Sequence, residues 1–211
     1  MVAESPFRRR LREAVKKAQI DVDSTQISVL EQYFDLLARW NRKINLTAFQ
    51  LENAPEAAIN RLFVEPLQAA ARIERAPLRW FDLGSGGGSP AIPLKIVRPE
   101  LRLTMVESRS RKAAFLSEAT RSLGLTETEI SQKRIEDLLD SGNREILDIV
   151  TLRAVRTDEG LRKILSELLR PGGRLFLFGS DLGWEKRLSL DPEDELALAG
   201  GGSRLFILRK S

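Results

Sequence analysis

The sequence predicts an α/β protein in which a helical first third precedes a doubly wound, mostly parallel sheet. Three patterns indicate this fold. Apolar residues recur at helical spacing in the first third, short apolar strands then alternate with amphipathic helices, and a glycine-rich loop follows the first strand. We therefore expect an N-terminal helical cap, residues 1–75, followed by an α/β domain, residues 76–211.

The cap contains three predicted helices. Apolar side chains about one turn apart indicate the first, and Ile20 is the last of them. Ser24 with Thr25 can cap the second helix, whose apolar stripe runs to Trp40. The third helix is expected over residues 54–72.

Beyond the cap, five strands alternate with three helices. They are expected near residues 78–83, 101–107, 127–132, 147–153 and 173–179 for the strands, and near 89–98, 110–123 and 157–170 for the helices. The tail departs from this alternation, because a polar stretch, residues 190–195, and three consecutive glycines precede the apolar residues 203–209. We expect this last segment to be a terminal strand that enters antiparallel after a tight turn.

The loop after the first strand indicates a ligand site. Asp82 ends the strand, and the loop contains Gly84, Ser85, Gly86 and Gly88. A backbone without Cβ atoms can take positive φ and approach a bound molecule closely, and the free N–H groups of the next helix make an electropositive edge. Glycine loops of this kind usually have a functional reason.

Glu107 ends the second predicted strand. A carboxylate there can accept two hydrogen bonds from a ribose diol, so the loop and Glu107 together predict a nucleoside-cofactor site. The dinucleotide fingerprint G-x-G-x-x-G/A fails when counted from Gly84 and passes when counted from Gly86. A nicotinamide dehydrogenase therefore fits in one frame only. An acidic residue followed by G-x-G-x-G instead resembles the S-adenosylmethionine loop of class I methyltransferases.

Composition excludes several other chemistries. The 211 residues, 42% of them hydrophobic, suffice for one sizeable core, and no apolar run reaches the length of a membrane span. Histidine and cysteine are absent, which excludes Ser–His–Asp and Cys–His catalysis, cysteine adducts and the usual zinc sites. We expect no metal, no membrane association and, because no signal-peptide pattern is seen, a cytoplasmic location.

Positive charge is concentrated in two places, although the net charge is only +4. One group lies near the N-terminus and the other follows the second helix. Together they are Arg8, Arg9, Arg10, Arg12, Lys16, Lys17, Arg39, Arg42 and Lys43. A solvated helix face and a phosphate-binding patch are both compatible with this pattern.

Several segments, in this order and spacing, carry a family resemblance. They are residues 40–47 (W-N-R-K-I-N-L-T), the glycine loop, Phe115-Leu116, Arg134-Ile135-Glu136-Asp137 and Thr151-Leu152-Arg153-Ala154-Val155. They resemble the bacterial ribosomal RNA small subunit methyltransferase G family, also called glucose-inhibited division protein B, over about residues 25–178. The resemblance implies a Rossmann-like class I methyltransferase sheet and transfer of a methyl group from S-adenosylmethionine to N7 of a guanine in 16S rRNA.

The resemblance also implies roles for individual residues. The partner would be 16S rRNA or the small ribosomal subunit, and we expect a monomer. Arg153 is the expected catalytic residue, because it ends the fourth strand, where open sheets bind ligands, and can grip a phosphate or the guanine O6 edge. The remaining assignments are Asp82, Gly84, Ser85, Gly86 and Gly88 near the methionine part of the cofactor, Glu107 at the ribose, Arg134, Ile135 and Glu136 at the adenine, Arg153 also beside the cofactor, and Asn41, Lys43 and Asn45 on the RNA.

The implied chemistry suits a chain without histidine. Guanine N7 carries an available lone pair, so it can attack a sulfonium methyl group in line without first losing a proton. No general base is required. The catalytic task is then to position donor and acceptor and to tolerate a cationic product.

Four positions depart from the family pattern. Leu62 replaces a usual His, Pro66 and Leu152 each replace a Ser, and Phe178 replaces a Lys, whereas the acid at Glu65 is kept. Each change removes a polar group near the expected active face. Two alternatives therefore stay open: a methyltransferase of a small molecule or protein, and a non-catalytic relative that binds RNA.

Overall fold

The computed structural model describes residues 4–141, 144–155, 158–179 and 190–211. Its strands are β1 (Arg79–Leu83), β2 (Arg102–Val106), β3 (Thr128–Ser131), β4 (Leu147–Arg153), β5 (Leu169–Gly179), β6 (Asp191–Ala197) and β7 (Arg204–Arg209). Within the described ranges they form one sheet in the order β3-β2-β1-β4-β5-β7-β6. The strands β1 to β5 pair in parallel, and β7 pairs antiparallel with β5 and β6. This confirms the predicted sheet.

The strand order reverses at β1, which pairs with β2 on one side and with β4 on the other. In open α/β sheets a crevice forms outside the carboxyl ends of the strands at such a reversal, and ligands bind there. Leu83 and Arg153 end the two strands that flank it. The glycine loop and the predicted catalytic arginine therefore lie at one crevice.

The helices largely follow the sequence pattern. They are α1 (Pro6–Lys17), α2 (Ser24–Asn41), α3 (Glu56–Ile59), α4 (Glu65–Ala70), α5 (Ala91–Val97), α6 (Ser110–Ser122) and α7 (Glu159–Leu168), with a π-helical segment at Asn60–Val64 and a 3₁₀ helix at Ile135–Ser141. Residue 157, where we predicted the last helix to begin, lies outside the described residues. No helix in the described ranges is long and apolar enough to cross a membrane.

The predicted cap of the second helix was wrong by one residue. Asp23, not Ser24, precedes α2, and its carboxylate accepts a hydrogen bond from the backbone N–H of Gln26 at 2.8 Å. The Gln26 side chain in turn accepts from the backbone N–H of Asp23 at 3.1 Å. This reciprocal capping box requires an acceptor three residues before the Gln, which selects Asp23.

The strand β6 was not predicted. It falls on the stretch that we interpreted only as polar, because most of its side chains are exposed and no apolar alternation marks it. It lies at the edge of the sheet, beyond β7, and charged side chains are typical of edge strands because they discourage pairing with other chains. Ion pairs join Glu195 to Arg204 on β7 and Asp194 to Arg72 after α4.

Alternate residues of the strands enter two apolar clusters, one on each face of the sheet. The cap, α5 and α6 cover one face, whereas α7 and the 3₁₀ helix cover the other. In the cap, the rings of Phe7 and Phe34 stack at 4.6 Å, and Phe63 packs edge-on against Phe7 at 4.9 Å. This aromatic group belongs to the same cluster as Trp80 of β1 and Phe176 of β5.

The division into residues 1–75 and 76–211 stays a prediction.

Candidate active site

The glycine loop has a conformation that side chains would disturb. Gly86 has a φ of +55°, in the left-handed region that favours glycine. A Cβ added at Gly87 would come within 2.9 Å of the backbone oxygen of Leu46, so the loop packs closely under the segment after α2. The hydroxyl of Tyr33, a buried residue of α2, donates to the Gly87 carbonyl at 2.6 Å. The cap therefore holds this loop directly.

Glu107 holds the loop from the other side. Its carboxylate accepts a hydrogen bond from the backbone N–H of Gly86 at 3.0 Å and another, on its second oxygen, from the backbone N–H of Arg109 at 2.8 Å. The side chain is buried beside the loop. Each carboxylate oxygen can accept more than one hydrogen bond, so Glu107 retains acceptor capacity for a ribose.

Asp82 lies behind the loop as a buried carboxylate. One of its oxygens accepts from the hydroxyl of Thr151 on β4, which in turn accepts from the indole N–H of Trp80 at 2.9 Å. The second oxygen, Oδ2, has no hydrogen-bond partner among the described residues. Burial raises the pKa of Asp82, and the hydrogen bond from Thr151 opposes this shift. An unpaired carboxylate oxygen in this place fits a ligand that brings a positive charge or a donor.

A cavity of about 520 Å³ opens in front of the loop. This volume lies in the range of roughly 300–1,000 Å³ that is typical of small-molecule sites. Its walls come from the loop, the segment after α2, the ends of β2 and β4, and the third helical region. This region consists of α3, the π-helical segment and α4, residues 56–70. The residues that line the cavity are Leu37, Leu46, Thr47, Phe49, Arg61, Leu62, Gly84, Ser85, Gly86, Gly87, Ser89, Glu107, Arg109, Lys112, Arg153, Ala154 and Val155. We call this space the cofactor cavity.

Arg153 lines the cofactor cavity, yet its guanidinium is held by the protein. Its Nη2 lies 2.9 Å from a carboxylate oxygen of Glu65, and the side chains of this pair are only 9% and 2% exposed. The guanidinium carbon lies 4.4 Å from the ring centroid of Phe178. Burial lowers the pKa of Arg153 to about 10, against the opposing effect of Glu65. Its Nε is buried and has no partner among the described residues.

Pro66 explains another contact of Arg153. Proline has no N–H, so the helix leaves a backbone carbonyl near residues 61 and 62 without its usual donor. The Arg61 carbonyl accepts from Nη1 of Arg153, and the Leu62 carbonyl accepts from the Ser89 hydroxyl at 2.8 Å. The π-helical segment and the proline thus turn two carbonyls toward β4 and the glycine loop.

The four family departures prove to be differently placed. Leu62 lines the cofactor cavity, whereas Leu152 is buried within the sheet. Phe178 is buried too, and its ring lies against Arg153. Pro66 is the second residue of α4 and does not line the cofactor cavity. Only Leu62 therefore makes the cavity wall itself more apolar.

Two sets of predicted cofactor-binding residues do not line the cofactor cavity: three residues after β3, and Gly88 in the glycine loop. Arg134, Ile135 and Glu136 do not line the cofactor cavity, but they follow β3 at the same edge of the sheet. Gly88 does not line the cofactor cavity either. Its backbone N–H donates to the Ser85 carbonyl at 2.7 Å.

The side chain of Asn41 organises the loop that follows α2. Its oxygen accepts from the backbone N–H groups of Leu46 and Thr47, both at 2.9 Å, and its nitrogen donates to the Phe49 carbonyl at 3.4 Å. Lys43 and Asn45 are exposed on the same loop. Asn41 thus has intramolecular partners, and the assignment of Asn41, Lys43 and Asn45 to the RNA stays a prediction.

The N-terminal basic residues are largely engaged within the chain. Arg8 pairs with Glu31 at 2.7 Å, Arg12 pairs with Glu4 at 3.2 Å, and Arg10 donates to backbone carbonyls after α2. A second group lies in and near the cofactor cavity, since Arg109 and Lys112 line it. This group, the basic rim, consists of Arg42, Lys43, Arg109, Arg111 and Lys112, for which the described part of the chain provides no ion pair.

The sequence alone did not indicate several residues that shape the site. They are Tyr33, Thr151, Ser89, Arg109 and Lys112. The sequence positions of Thr151 and Lys112 could have indicated a role in the site. Thr151 lies near the carboxyl end of a strand, and Lys112 lies in the first turn of the helix that follows one. No such feature of the sequence distinguishes Tyr33, because it lies among the apolar residues of the stripe on α2.

A family model described as rRNA small subunit methyltransferase G matches residues 26–183. The chain belongs to this family. A member from Lactococcus lactis subsp. cremoris is 34% identical over 191 residues, which cover 89% of this chain and 78% of that protein. A member from Chloroflexus aggregans is 36% identical over 181 residues, which cover 85% and 71%. The predicted family, cofactor and enzyme class, an S-adenosylmethionine-dependent rRNA methyltransferase, are confirmed.

Solved structures agree on the fold of this methyltransferase G family member. An S-adenosylmethionine-dependent methyltransferase from Aquifex aeolicus superposes with a TM-score of 0.56 at 13% identity, over 72% of this chain and 92% of that chain. A precorrin-6y C5,15-methyltransferase from Geobacter metallireducens gives 0.54 at 14% identity, over 79% and 91%. At this identity the likeness concerns the fold alone.

Gly86→Asp should abolish measurable binding of S-adenosylmethionine. Aspartate would occupy a strained φ and would place a second carboxylate beside Glu107, whose oxygen binds the Gly86 N–H. Isothermal titration calorimetry measures the affinity. Gly124→Asp is the matched control, because Gly124 also has a positive φ but lies in open space after α6. Unchanged binding by Gly86→Asp would contradict the assignment of the loop.

Asp82→Asn should stabilise the ligand-free protein at neutral pH while weakening cofactor binding. Because burial raises the folded-state pKa of Asp82, its ionisation reduces stability as the pH rises through that pKa. The neutral amide lacks this penalty, so the difference from the parent should vanish below the ordinary aspartate pKa of about 3.9. Urea unfolding at several pH values tests this, with the exposed Asp140→Asn as control. A variant less stable than the parent at pH 7 would refute it.

Proposed function

We propose that this protein transfers the methyl group of S-adenosylmethionine to N7 of a guanine in 16S rRNA, acting as a monomer in the cytoplasm. The observation that carries the proposal is the meeting of the glycine loop, Glu107 and Arg153 in one cavity of a chain that belongs to the rRNA methyltransferase G family.

The residues present fit the cofactor. Glu107 has acceptor capacity for the ribose diol, the left-handed Gly86 leaves the loop backbone open, and Asp82 has an unpaired oxygen behind the loop. We assign Gly84, Ser85 and their backbone to the methionine part. Bound here, S-adenosylmethionine supplies an electrophilic methyl group on a sulfonium.

We assign the adenine to the segment that follows β3. The backbone N–H of Glu107 donates to the Ser131 carbonyl at 3.1 Å, so this segment begins directly beside the ribose carboxylate. Ile135 packs on the apolar cluster that includes Leu83 and Val106, and it can present an apolar edge to a base. Arg134 and Glu136 are exposed and flank it.

The chain positions the acceptor and needs no base. The N7 lone pair forms the new bond to the methyl carbon while the electron pair of the carbon–sulfur bond stays on sulfur, and no proton moves. The positive charge passes to the guanine ring. The buried carboxylates of Asp82 and Glu65 favour a cation in this region, and Arg153 and Arg61 balance them while no substrate is bound.

We propose that Arg153 contacts the reacting groups through Nε. Its terminal nitrogens are bound to Glu65 and to the Arg61 carbonyl, which fixes the plane of the guanidinium. Nε carries a buried N–H without a partner among the described residues, and the side chain lines the cofactor cavity. A donor held in this way can bind guanine O6 or a cofactor oxygen.

The basic rim supports an RNA substrate. Arg109 and Lys112 line the cofactor cavity, and Arg42 and Lys43 lie on the loop after α2. All five cations of the rim are exposed or half-buried, so they are available for phosphates. A small-molecule or protein substrate was suggested by three apolar replacements, at Leu62, Leu152 and Phe178. Two of the three are buried away from the cavity wall, which weakens that alternative.

Transfer of labelled methyl groups to unmodified 16S rRNA and to small subunits tests the proposal. We expect label at guanine N7, and we expect Arg153→Lys to lower the rate about 10²-fold, the usual cost of losing one oriented donor. Lysine keeps the charge but cannot supply Nε, the two terminal nitrogens and the stacking plane together. Circular dichroism and cofactor affinity serve as controls. Absence of label with cofactor binding intact would overturn the proposed function.

The salt dependence of RNA binding distinguishes the basic rim from the N-terminal cluster. Lys43→Ala should reduce the slope of log affinity against log salt by about 0.7–0.9, the value for one phosphate contact. Lys16→Ala, which removes an exposed cation from α1, should leave the slope unchanged. Filter binding over a salt series measures both. Equal effects of the two variants would assign the RNA surface elsewhere.

A further inference from the structure

A second cavity adjoins the cofactor cavity. It measures about 340 Å³ and lies at the carboxyl end of β5, between the third helical region and the glycine turn that joins β6 to β7. Its lining residues are Phe49, Ala57, Asn60, Arg61, Glu65, Gly179, Ala199, Gly200, Gly201, Gly202 and Ser203. Phe49 and Arg61 line both cavities, whereas Glu107 lines only the first. The two spaces therefore share a wall on one side of the cofactor cavity.

The shared wall carries an aromatic ring in a fixed place. Phe49 is half-buried, and its backbone is held by Asn41 and by the hydroxyl of Thr47, which accepts from the Phe49 N–H at 3.3 Å. A ring presented in this way offers a stacking face for a base. The hydrogen bonds of Asn41 fix the conformation of the loop that carries Phe49, and so they help to position this ring.

Polar groups line the rest of the second cavity. The side-chain amide of Asn60 makes no hydrogen bond to another described residue, so its donor and acceptor are both available. Arg61 is held by Glu65 at 3.0 Å and by the hydroxyl of Ser203, which fixes its guanidinium at the wall. Glu65 brings a buried carboxylate to the same space. Burial raises the pKa of Glu65, and Arg153 and Arg61 oppose this shift.

We propose that this second cavity, the acceptor cavity, receives the guanine after it has been turned out of the RNA stack. The base stacks on Phe49, the amide of Asn60 pairs with the adjacent O6 and N1–H of guanine, and N7 faces the cofactor cavity. Adenine presents a donor and an acceptor in the reverse order at these positions, so the same amide in this orientation discriminates against it. The inference rests on the proposed function and specifies where its acceptor binds.

The charges in the acceptor cavity suit the product. Methylation at N7 leaves a positive charge on the guanine ring, and Glu65 is a buried carboxylate in the cavity wall. Arg61 and Arg153 hold this carboxylate in place before the base arrives. A carboxylate that is already oriented stabilises developing positive charge without reorganisation.

A steric block provides the sharpest test. Ala57 is exposed and lines the acceptor cavity but not the cofactor cavity, so Ala57→Trp should fill the former and leave the latter open. We expect at least about 30-fold slower methyl transfer to 16S rRNA, with the affinity for S-adenosylhomocysteine within twofold of the parent. Ala71→Trp is the matched control, because Ala71 is an exposed alanine at the far end of the same helical run. Unchanged transfer by Ala57→Trp would overturn the acceptor cavity.

Two smaller substitutions keep the test valid if Ala57→Trp does not fold. Asn60→Ala should lower kcat/KM for the RNA on the order of 10-fold and relax the preference for guanine over adenine, a change that a purely structural defect would not produce. Phe49→Ala should lower transfer strongly, and Phe49→Trp should restore it by renewing the stacking face. Equal losses in Phe49→Ala and Phe49→Trp, or an unaltered base preference in Asn60→Ala, would contradict the proposal.

The parent protein separates the two hypotheses. If it transfers label to guanine N7, the proposed function holds and the variants report on the acceptor cavity alone. If it labels a different base or a different substrate, the proposed function fails. The Ala57→Trp variant then still shows whether that acceptor enters this cavity, and a loss of transfer supports its use as an acceptor site.

Discussion

The buried ion pair between Arg153 and Glu65 connects the sheet to the helical cap at the point where the site forms. Two buried charges are stabilised only when their remaining hydrogen-bonding groups are also satisfied. Here Phe178 covers the face of the guanidinium and the Arg61 carbonyl, freed by Pro66, accepts from its second terminal nitrogen, whereas Nε has no partner among the described residues. The orientation of the third helical region, and with it both cavities, follows from this pair.

The same region explains how the chain accommodates its departures from the family pattern. Phe178 and Pro66 each replace a polar residue, and both now lie beside Arg153: one supplies a cation–π contact, and the other leaves a carbonyl for it to bind. The replacements therefore act together on one side chain. Leu62 is the departure that faces a ligand directly.

The predicted and observed structures differ mainly where polar residues have two possible roles. Polar side chains in β6 belong to an edge strand rather than to a loop, and Asn41 stabilises a loop that we expected to contact RNA. Arg8 of α1 pairs with Glu31, which tertiary packing brings near, whereas the basic rim has no ion pair among the described residues. Local sequence shows the charge of a side chain but not its distant neighbours, and those neighbours determine whether the charge is free.

The sequence by itself determined the parallel strands β1 to β5, the antiparallel last strand, the glycine loop and the carboxylate of Glu107. These features depend on periodicity and on residue types that are close together in the chain. Only the tertiary structure decided what Arg153 binds, that Tyr33 of the cap holds the Gly87 carbonyl, and that two cavities share Phe49 and Arg61. The contacts of Arg153 with Glu65 and of Tyr33 with Gly87 join residues 88 and 54 positions apart, and only folding brings such residues together.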